Sequence, residues 1–285
     1  MLTQKTSTQQ IFKTPMQRIS DVLSSIEASK GTLEFMKTGF SAVDDKLDGG
    51  FLRKELVVLG GQTGIGKSYL ASQLLYNIAS QGFKSAYFSL EISNEMIVSR
   101  MLGALSNLKP TRIRVGMLTE VEYASKLEAK SKLESLGDFL FFYDNTYKLM
   151  EIQKEIRDNK YEFVVVDFIQ NVFADGADEY SRLSRAALEL QKLAKDCNCT
   201  ILVLSQLSNV VAREGFTSKA IEYRGSGSIA MVCDLGFFIE REMKVSPDGF
   251  QIDLLNLYLK KNRRGISGVS FQLSFNHPGG WIYEA

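Results

Sequence analysis

A glycine-rich segment from Gly61 to Ser68, GQTGIGKS, carries the residues whose types and spacing most clearly indicate chemistry. It matches the phosphate-loop pattern G-x-x-x-x-G-K-[ST] and lies between an apolar run and a stretch of helical periodicity. Its backbone N–H groups can point at phosphate oxygens, at the positive end of the following helix. Lys67 supplies a cation for the β- and γ-phosphates, and Ser68 offers a hydroxyl to Mg²⁺. The segment therefore predicts that ATP and Mg²⁺ are bound here. The residues predicted to hold the nucleotide are Gly61, Gln62, Thr63, Gly64, Ile65, Gly66, Lys67, Ser68 and Tyr69.

Three polar side chains follow apolar runs that are typical of buried strands. Asp167 ends the run FVVVD and is predicted to hold the Mg²⁺ shell, although an aspartate in this position could also cap a helix. Glu91 follows the run AYFSL and is a candidate general base that polarises the attacking water. Gln206 follows ILVLS, and its uncharged amide is predicted to contact the γ-phosphate. Because an open α/β sheet binds its ligand at the carboxyl ends of its strands, we expect all three side chains beside the phosphate loop.

Strand and helix patterns alternate after Glu55, which predicts an α/β fold with a mostly parallel sheet flanked by helices. After Gly236 the pattern changes to strands joined by turns, which indicates an antiparallel C-terminal extension at one sheet edge. The predicted strands are Leu56 to Leu59, Ala86 to Leu90, Phe139 to Tyr143, Phe163 to Asp167, Ile201 to Ser205, Phe237 to Glu240, Leu254 to Lys260 and Val269 to Ser274. The predicted helices are Lys67 to Ala79, Asn94 to Leu105, Glu120 to Leu136 with a capping box from Thr119 and Glu122, Leu149 to Asn159, and Tyr180 to Asp196.

An amphipathic helix is predicted near the N-terminus, because Phe12, Met16, Ile19, Leu23 and Ile26 recur at spacings of four and three. We assign residues 1–34 to a segment that carries this helix and residues 35–285 to one ATPase domain. The apolar stripe fits either the chain's own core or a neighbouring subunit, since periodicity does not identify the surface that it meets.

The composition is that of a cytosolic protein with one large α/β domain. The 285 residues are 45% hydrophobic and have a formal net charge of +1, so the chain lacks the strongly basic character of many nucleic-acid binders. Runs such as Phe163 to Val166 are too short to cross a membrane, and no signal peptide pattern begins the chain. The spacing of the three cysteines supports neither a disulfide framework nor a zinc site. His277, beside Pro278, is predicted to be a turn residue.

Five further motifs, in order along the chain, resemble the motor motifs of DnaB-type replicative helicases. They are SLEIS (Ser89 to Ser93), VVVDFIQ (Val164 to Gln170), LSQLS (Leu204 to Ser208), YRGSGSIA (Tyr223 to Ala230) and KKNRRG (Lys260 to Gly265). The resemblance covers residues 35 to 284 and implies a RecA-like P-loop ATPase core with an N-terminal linker helix. It implies a ring of six subunits that hydrolyses ATP at subunit interfaces and threads single-stranded DNA through its centre.

The resemblance also implies roles for individual residues. The glutamate that matches Glu91 is the catalytic base in that family, and the glutamine that matches Gln206 contacts the γ-phosphate. Lys261 and Arg263 match a K-x-R-x-G strand end that reaches into the neighbour's site. Taken as a charge run alone, KKNRR would be a solvated basic turn. We expect no arginine of the same chain beside the phosphate loop, which agrees with an arginine supplied in trans.

The family's inner DNA loop corresponds to Arg224, Gly225, Ser226 and Gly227. A cation and exposed backbone N–H groups there can grip DNA phosphates without reading bases. The family commonly has an acidic residue at Gly225, so one contact that orients the backbone is absent from the prediction. The other central loop, near Asn171 to Glu179, is acidic, and we derive no DNA contact from it.

The resemblance further implies partners and a place of action. The partners are single-stranded DNA, a primase or a loader, and further copies of the chain in a homo-hexamer held by the linker helix and by Arg263 in trans. Helicases of this family usually carry an N-terminal collar domain, so we expect either a short phage or plasmid-like form in the bacterial cytoplasm or a motor fragment of such a helicase. Two alternatives are a RecA-like recombinase or loader, which fork unwinding would exclude, and a KaiC-like ring ATPase, which stimulation by single-stranded DNA would exclude.

Overall fold

The computed structural model describes residues 19–28, 34–206, 227–245 and 251–284 of the chain. Its contacts define two compact units, Met1–Glu34 and Phe35–Ala285. In the first unit, helix α1 (Ile19–Ala28) carries exposed apolar side chains, among them Leu23 and Ile26. Phe12 and Met16, which begin the predicted amphipathic stripe, lie outside the described residues. None of the helices in the described ranges has the length and apolar content that a membrane span requires.

The second unit is built on one mixed sheet, which has nine strands within the described residues, in the order β3-β2-β4-β5-β1-β6-β7-β8-β9. The pairs from β3 to β6 are parallel, and the pairs from β6 to β9 are antiparallel. The strands are β1 (Leu56–Gly61), β2 (Ser85–Ser89), β3 (Leu140–Tyr143), β4 (Phe163–Asp167), β5 (Thr200–Gln206), β6 (Leu235–Val245), β7 (Gln251–Asn262), β8 (Val269–Phe275) and β9 (Ile282–Glu284). The predicted fold class is confirmed, including the antiparallel extension at one edge.

Helices cover both faces of the sheet. They are α2 (Ser41–Lys46), α3 (Lys67–Ala79), α4 (Asn94–Ser106), α5 (Pro110–Val115), α6 (Glu120–Glu134), α7 (Leu149–Asn159), α8 (Glu179–Asp196) and α9 (Gly227–Val232), with a short 3₁₀ helix at Ile169–Asn171. Alternate residues of β1 feed the two cores: Val57 and Leu59 pack with α3 on one face, whereas Leu56 and Val58 pack with α7 and α8 on the other. Burial on both faces explains why the parallel strands are continuous apolar runs.

Several strand bounds and short elements of the structure differ from those predicted from the sequence. Strands β6 and β7 are longer than predicted, because they pair with each other over nearly their whole length, beyond their apolar segments. Helices α2 and α5 are six residues each, and β9 is three residues long. Elements of this length carry too little periodicity to be recognised. The capping box of Thr119 and Glu122 is confirmed at the start of α6.

Candidate nucleotide-binding site

The phosphate loop connects β1, which ends at Gly61, to α3, which begins at Lys67. Gly64 and Gly66 have φ angles of +78° and +111°, which a residue with a Cβ atom rarely adopts. The Lys67 amine donates hydrogen bonds to the carbonyls of Gly61 at 2.8 Å and Gln62 at 2.6 Å. The start of the loop therefore folds back against the Lys67 amine, and the end of the loop leads directly into the N-terminus of α3.

Burial changes the pKa of the Lys67 amine. Lys67 is 8% exposed, and its desolvation lowers the pKa of the amine to about 8. The nearby carboxylates of Asp167 and Glu91 oppose this shift, because each favours the charged ammonium. An anion bound against this amine would favour the ammonium in the same way, since opposite charges in a partly buried site interact strongly.

Asp167 ends β4 at the bottom of the same site and is 2% exposed. The hydroxyl of Tyr87 donates a 2.6 Å hydrogen bond to its Oδ2 atom, and the Ser68 hydroxyl is near enough to this carboxylate to lower its pKa. Burial raises the pKa of Asp167, while the bonds from Tyr87 and Ser68 and the charge of Lys67 lower it. Burial also holds the pKa of Tyr87 well above its usual value, so this phenol remains a donor.

A cavity of about 280 Å³ opens above these residues. Of the side chains predicted from the sequence, Lys67, Ser68, Asp167, Glu91 and Gln206 all border it. Its full lining is Thr63, Gly64, Gly66, Lys67, Ser68, Tyr69, Glu91, Ile92, Arg100, Asp167, Phe168, Gln206, Arg241 and Phe275. The sheet edge thus brings together groups that are distant in sequence, as the strand-end patterns predicted.

Three residues of the predicted phosphate loop, Gly61, Gln62 and Ile65, do not line this cavity. A Cβ atom on Gly61 would be 2.8 Å from a methyl of Ile239, so this glycine permits close packing of β1 against β6. Gln62 and Ile65 border a second cavity of about 400 Å³, which shares Arg241 with the first. Their proximity to a nucleotide therefore remains a prediction.

Gln206 is held at the end of β5 by a neighbouring glutamine. The side chain of Gln170 donates to the backbone carbonyl of Gln206 at 3.2 Å and accepts from its backbone N–H at 3.4 Å. It also donates to the Ser205 hydroxyl at 3.2 Å. Gln170 therefore fixes the backbone from which the Gln206 side chain projects at the cavity.

The expectation that no arginine of the same chain lies beside the phosphate loop is wrong. Arg100 of α4 and Arg241 of β6 both border the cavity. The Arg100 guanidinium lies 5.1 Å from the centre of the Tyr69 ring, and Arg241 lies 5.0 Å from that of Phe275. The two rings contact each other edge to face, with 5.2 Å between their centres. Arg100 and Arg241 are separated from the loop in sequence, so only the fold reveals them.

Arg241 is oriented by an ion pair with Asp253 in the adjacent strand β7. Its Nε atom donates to Oδ1 of Asp253 at 2.6 Å, and its terminal nitrogen donates to Oδ2. This pairing, above all, holds the pKa of Asp253 below its usual range. His277, which does lie in a turn, also contacts Asp253 Oδ2 through Nε2 at 2.7 Å. The sequence prediction missed this contact, because the three residues lie in different elements.

Lys261 and Arg263 do not border the cavity of their own chain. The Lys261 amine donates to the carbonyl of Met231, at the end of α9, at 2.8 Å, and Arg263 donates to the same carbonyl at 3.0 Å. A second guanidinium nitrogen of Arg263 pairs with Asp234 at 3.1 Å. The two cations therefore lie side by side at the end of β7, away from the phosphate loop that precedes α3.

The predicted DNA loop is only partly within the described chain. Arg224, Gly225 and Ser226 lie outside the described residues, and Gly227 is the first residue of α9. The acidic segment after Asn171 is described, and there Asp178 caps α8 by accepting from the Ser181 N–H at 2.7 Å. Asp178, one of the acidic residues of this segment, therefore has a structural role as the N-cap of α8.

Comparison with known proteins finds sequence matches over most of the chain. Residues 36–278 match the family described as DnaB-like helicase C terminal domain. The replicative DNA helicase DnaB of Treponema pallidum is 29% identical over 277 residues, which are 93% of this chain and 61% of that helicase. The chain thus spans about three fifths of the length of that relative.

Solved structures give the same result at the level of the fold. A DnaB-like replicative helicase, solved in a study of its interactions with primase, superposes with a TM-score of 0.81 at 18% identity, over 95% of this chain and 67% of its own. A second structure, which is described as an ATPase domain, superposes with a TM-score of 0.80 at 18% identity and covers 93% of this chain and 96% of its own. The RecA-like architecture of such ATPase domains is therefore that of this chain.

Proposed function

Because the chain belongs to the DnaB-like helicase C terminal domain family, we propose that it is the ATP-hydrolysing motor of a DNA helicase that moves along single-stranded DNA. One observation carries this proposal: Lys67 of α3, Asp167 of β4, Gln206 of β5 and Glu91 in the loop after β2 meet at one cavity beside the phosphate loop. A cation, a base, a metal ligand and an uncharged amide around one cavity are the groups that phosphoryl transfer to water requires.

Each group has a distinct role in this proposal. Lys67 neutralises the β- and γ-phosphates, and the loop N–H groups bind their oxygens. Glu91, which is exposed at the cavity mouth, orients the attacking water and accepts its proton. Gln206 contacts the γ-phosphate, and Gln170 transmits any displacement of Gln206 through the paired backbone bonds at the end of β5.

The donor set fits Mg²⁺. Among the described residues no group of three or more His, Cys, Asp and Glu side chains forms a metal cage. Ser68 and Asp167 instead present one hydroxyl and one carboxylate next to the phosphate loop, and Mg²⁺ is usually held by one or two such ligands together with substrate phosphates. When bound, Mg²⁺ would neutralise charge on the β- and γ-phosphates.

Further cations complete the site in two ways. Arg100 and Arg241 border the cavity in cis, and the charge of Arg100 is near enough to Asp167 to lower the pKa of that carboxylate. Lys261 and Arg263 face away from their own cavity and are proposed to serve the nucleotide of a neighbouring copy. A site completed in trans requires an oligomer, and we propose the closed hexameric ring that the resemblance to DnaB-type helicases implies.

Exposed apolar side chains support an interface between copies. Helix α1 exposes Leu23 and Ile26 by more than half of their surfaces. A second exposed apolar set lies at the end of α5 and along α6, and we name it the α5–α6 patch. It consists of Val115 and Met117, at and just after the end of α5, and of Tyr123 and Leu127, which lie one turn apart on one face of α6. We propose that α1 of one copy docks on the α5–α6 patch of the next, because burial of such surfaces is favourable.

Single-stranded DNA is the proposed track. Arg224 to Gly227 immediately precede and begin α9, whose end accepts hydrogen bonds from Lys261 and Arg263. Replacement of Arg224 by Ala should weaken DNA binding for every sequence and reduce its dependence on salt, since one phosphate contact is lost. The solved DnaB-like helicase described with primase makes a primase a candidate partner, and the bacterial relatives make the bacterial cytoplasm the proposed place of action.

Two substitutions test the chemistry. Lys67→Ala should abolish nucleotide binding, whereas Glu91→Gln should retain binding and lose turnover by about 100- to 10,000-fold, the usual contribution of a general base. Glu95→Gln, in the first turn of α4 and exposed, is a matched control that should change neither property. Equal loss of binding in the first two variants would contradict the assigned roles.

Fork unwinding and DNA-stimulated ATPase activity test the motor function. A helicase should separate a forked duplex, and its ATPase rate should rise with single-stranded DNA. Binding as a filament without unwinding would favour a recombinase or loader. An ATPase rate that is indifferent to DNA would favour a ring ATPase of the KaiC type.

A further inference from the structure

Tyr87 lies in the middle of β2 and is fully buried. Its ring packs near Phe142, at 6.4 Å between ring centres. Its hydroxyl reaches the neighbouring strand β4 and donates a 2.6 Å hydrogen bond to Oδ2 of Asp167. In the strand register, Tyr87 pairs with Val165 and Ser89 pairs with Asp167. The phenol therefore reaches forward along the sheet by two residues, toward the edge where the cavity opens.

The hydrogen bond from Tyr87 restricts the orientation of the Asp167 carboxylate. Asp167 is 2% exposed, and one of its two oxygens is occupied by the phenol from beneath. The Ser68 hydroxyl, at the end of the phosphate loop, borders the same cavity as this carboxylate and lowers its pKa. A carboxylate held at one oxygen cannot rotate freely, so the direction that its other oxygen presents to the cavity is fixed. Ordered carboxylates that support a metal site are commonly fixed by such bonds.

We propose that Tyr87 is a positioning residue, which sets the affinity of the site for Mg²⁺ by orienting Asp167. This inference rests on the proposed function, because it assigns Asp167 to the metal. The ring of Tyr87 is the part of the side chain that packs in the buried core, near Phe142. The hydroxyl is the part of the side chain that reaches the site, and a phenylalanine would fill nearly the same volume without it.

The test is Tyr87→Phe, with nucleotide affinity as the readout. A fluorescent ATP analogue is titrated onto the protein at a series of Mg²⁺ concentrations and, separately, with EDTA. The Mg²⁺ concentration that gives half of the affinity gain should rise by about 10- to 100-fold, the usual cost of losing a supporting bond at a metal site. Affinity in EDTA should be unchanged, because Lys67 and the loop amides bind phosphate without the metal.

Tyr161→Phe is the matched control. Tyr161 is also buried, with 1% exposure, and its hydroxyl also makes a 2.6 Å bond, but to Tyr143 rather than to the site. This variant loses the same atom and should keep the wild-type Mg²⁺ dependence. Equal shifts in both variants would assign the effect to general loosening of the sheet and overturn the proposal. Failure of Tyr87→Phe to fold, seen by circular dichroism, would assign the hydroxyl to stability and overturn it as well.

A third variant separates this inference from the proposed function. If Asp167→Asn leaves the Mg²⁺ dependence unchanged, Asp167 is not a metal residue and the proposed metal site fails. If Asp167→Asn shifts it but Tyr87→Phe does not, the role of Tyr87 alone fails. When both single variants shift the dependence, the double variant should match Asp167→Asn, since Tyr87 acts only through this carboxylate. A further shift of the Mg²⁺ dependence in the double variant would contradict the inference that Tyr87 acts only through Asp167.

Discussion

The guanidinium of Arg263 pairs with Oδ1 of Asp234 at 3.1 Å, and the other oxygen of the same carboxylate accepts the backbone N–H of Leu56 at 2.9 Å. Leu56 is the first residue of β1, the strand that ends in the phosphate loop. The arginine proposed to act on a neighbour's nucleotide is therefore anchored to the strand that carries its own chain's nucleotide loop. Asp234 therefore contacts both the arginine proposed to act in trans and the strand that leads to the phosphate loop.

Mixed oligomers test whether Arg263 acts in trans. Arg263→Ala alone should lower ATP turnover by about 1,000-fold or more, the usual contribution of such an arginine. Mixed with Glu91→Gln subunits, which are also inactive, it should recover part of the activity. The reason is that a subunit with an intact Glu91 can then adjoin one with an intact Arg263. The measurement is the steady-state ATPase rate across mixing ratios.

The control for this experiment is a mixture of Lys67→Ala and Glu91→Gln subunits. Both residues border the same cavity in cis, so no arrangement of these subunits restores a complete site, and no recovery is expected. If the Arg263→Ala mixture also shows no recovery at any ratio, although the subunits are shown to assemble together, the trans role is contradicted.

Arg100 should contribute to turnover from within the same chain. Its guanidinium borders the cavity with Glu91 and Asp167 and lies over the Tyr69 ring. A preorganised cation near developing negative charge stabilises the transition state, so Arg100→Ala should lower kcat by about 100- to 1,000-fold. Nucleotide affinity should change much less. The exposed Arg114 of α5, which contacts Met96, provides a control substitution, and equal effects of the two variants would argue against a site role for Arg100.

The contrast between Asp167 and Arg100 explains how much of the site could be predicted. Asp167, Glu91 and Gln206 end apolar runs, and parallel strands bring such ends to one sheet edge. Their positions could therefore be predicted from local patterns. Arg100 and Arg241 come from the interior of a helix and of an antiparallel strand, where nothing local distinguishes them from solvated cations. Only the packing of α4 and β6 around the phosphate loop reveals them.

The fold, like the site, has parts that local sequence patterns predict and parts that depend on long-range pairing. Helices α3 and α7 and strand β4 have the predicted bounds, because strong apolar patterns and clear terminating residues define them. Strands β6 and β7 continue through charged residues such as Arg241 and Asp253, which form an ion pair between the two strands. Cross-strand pairing of this kind is a long-range property, and the local sequence does not contain it.

Nucleotide affinity should depend on pH through Lys67. Its pKa is lowered to about 8 by burial, and bound phosphate should raise it, because an anion favours the ammonium. Below about pH 8 the amine is charged in both states, so this group gives no pH dependence. Above about pH 8 the free protein must take up a proton to bind, and affinity should fall by up to about tenfold per pH unit.

Fluorescence titrations with an ATP analogue between about pH 7 and about pH 9.5 measure this dependence. Lys67→Arg is the control, because a guanidinium stays charged throughout this range. Its affinity should be independent of pH in the range where the wild-type affinity falls. A wild-type affinity that is constant up to the highest pH would contradict the assignment of the amine to the phosphates.

Helix α1 provides the last prediction, which concerns assembly. Leu23 is 56% exposed, and the proposed ring buries it on the α5–α6 patch of a neighbouring copy. Leu23→Glu would place a charge in that apolar interface, where an unpaired charge is costly. Analytical ultracentrifugation with an ATP analogue should then show loss of the hexamer. The exposed Ser24 on the same helix is the control: Ser24→Glu adds the same charge and removes no apolar group, so assembly should persist. Dissociation caused by both substitutions would point to the helix's charge rather than its apolar face, and assembly unaffected by either would exclude the helix from the interface.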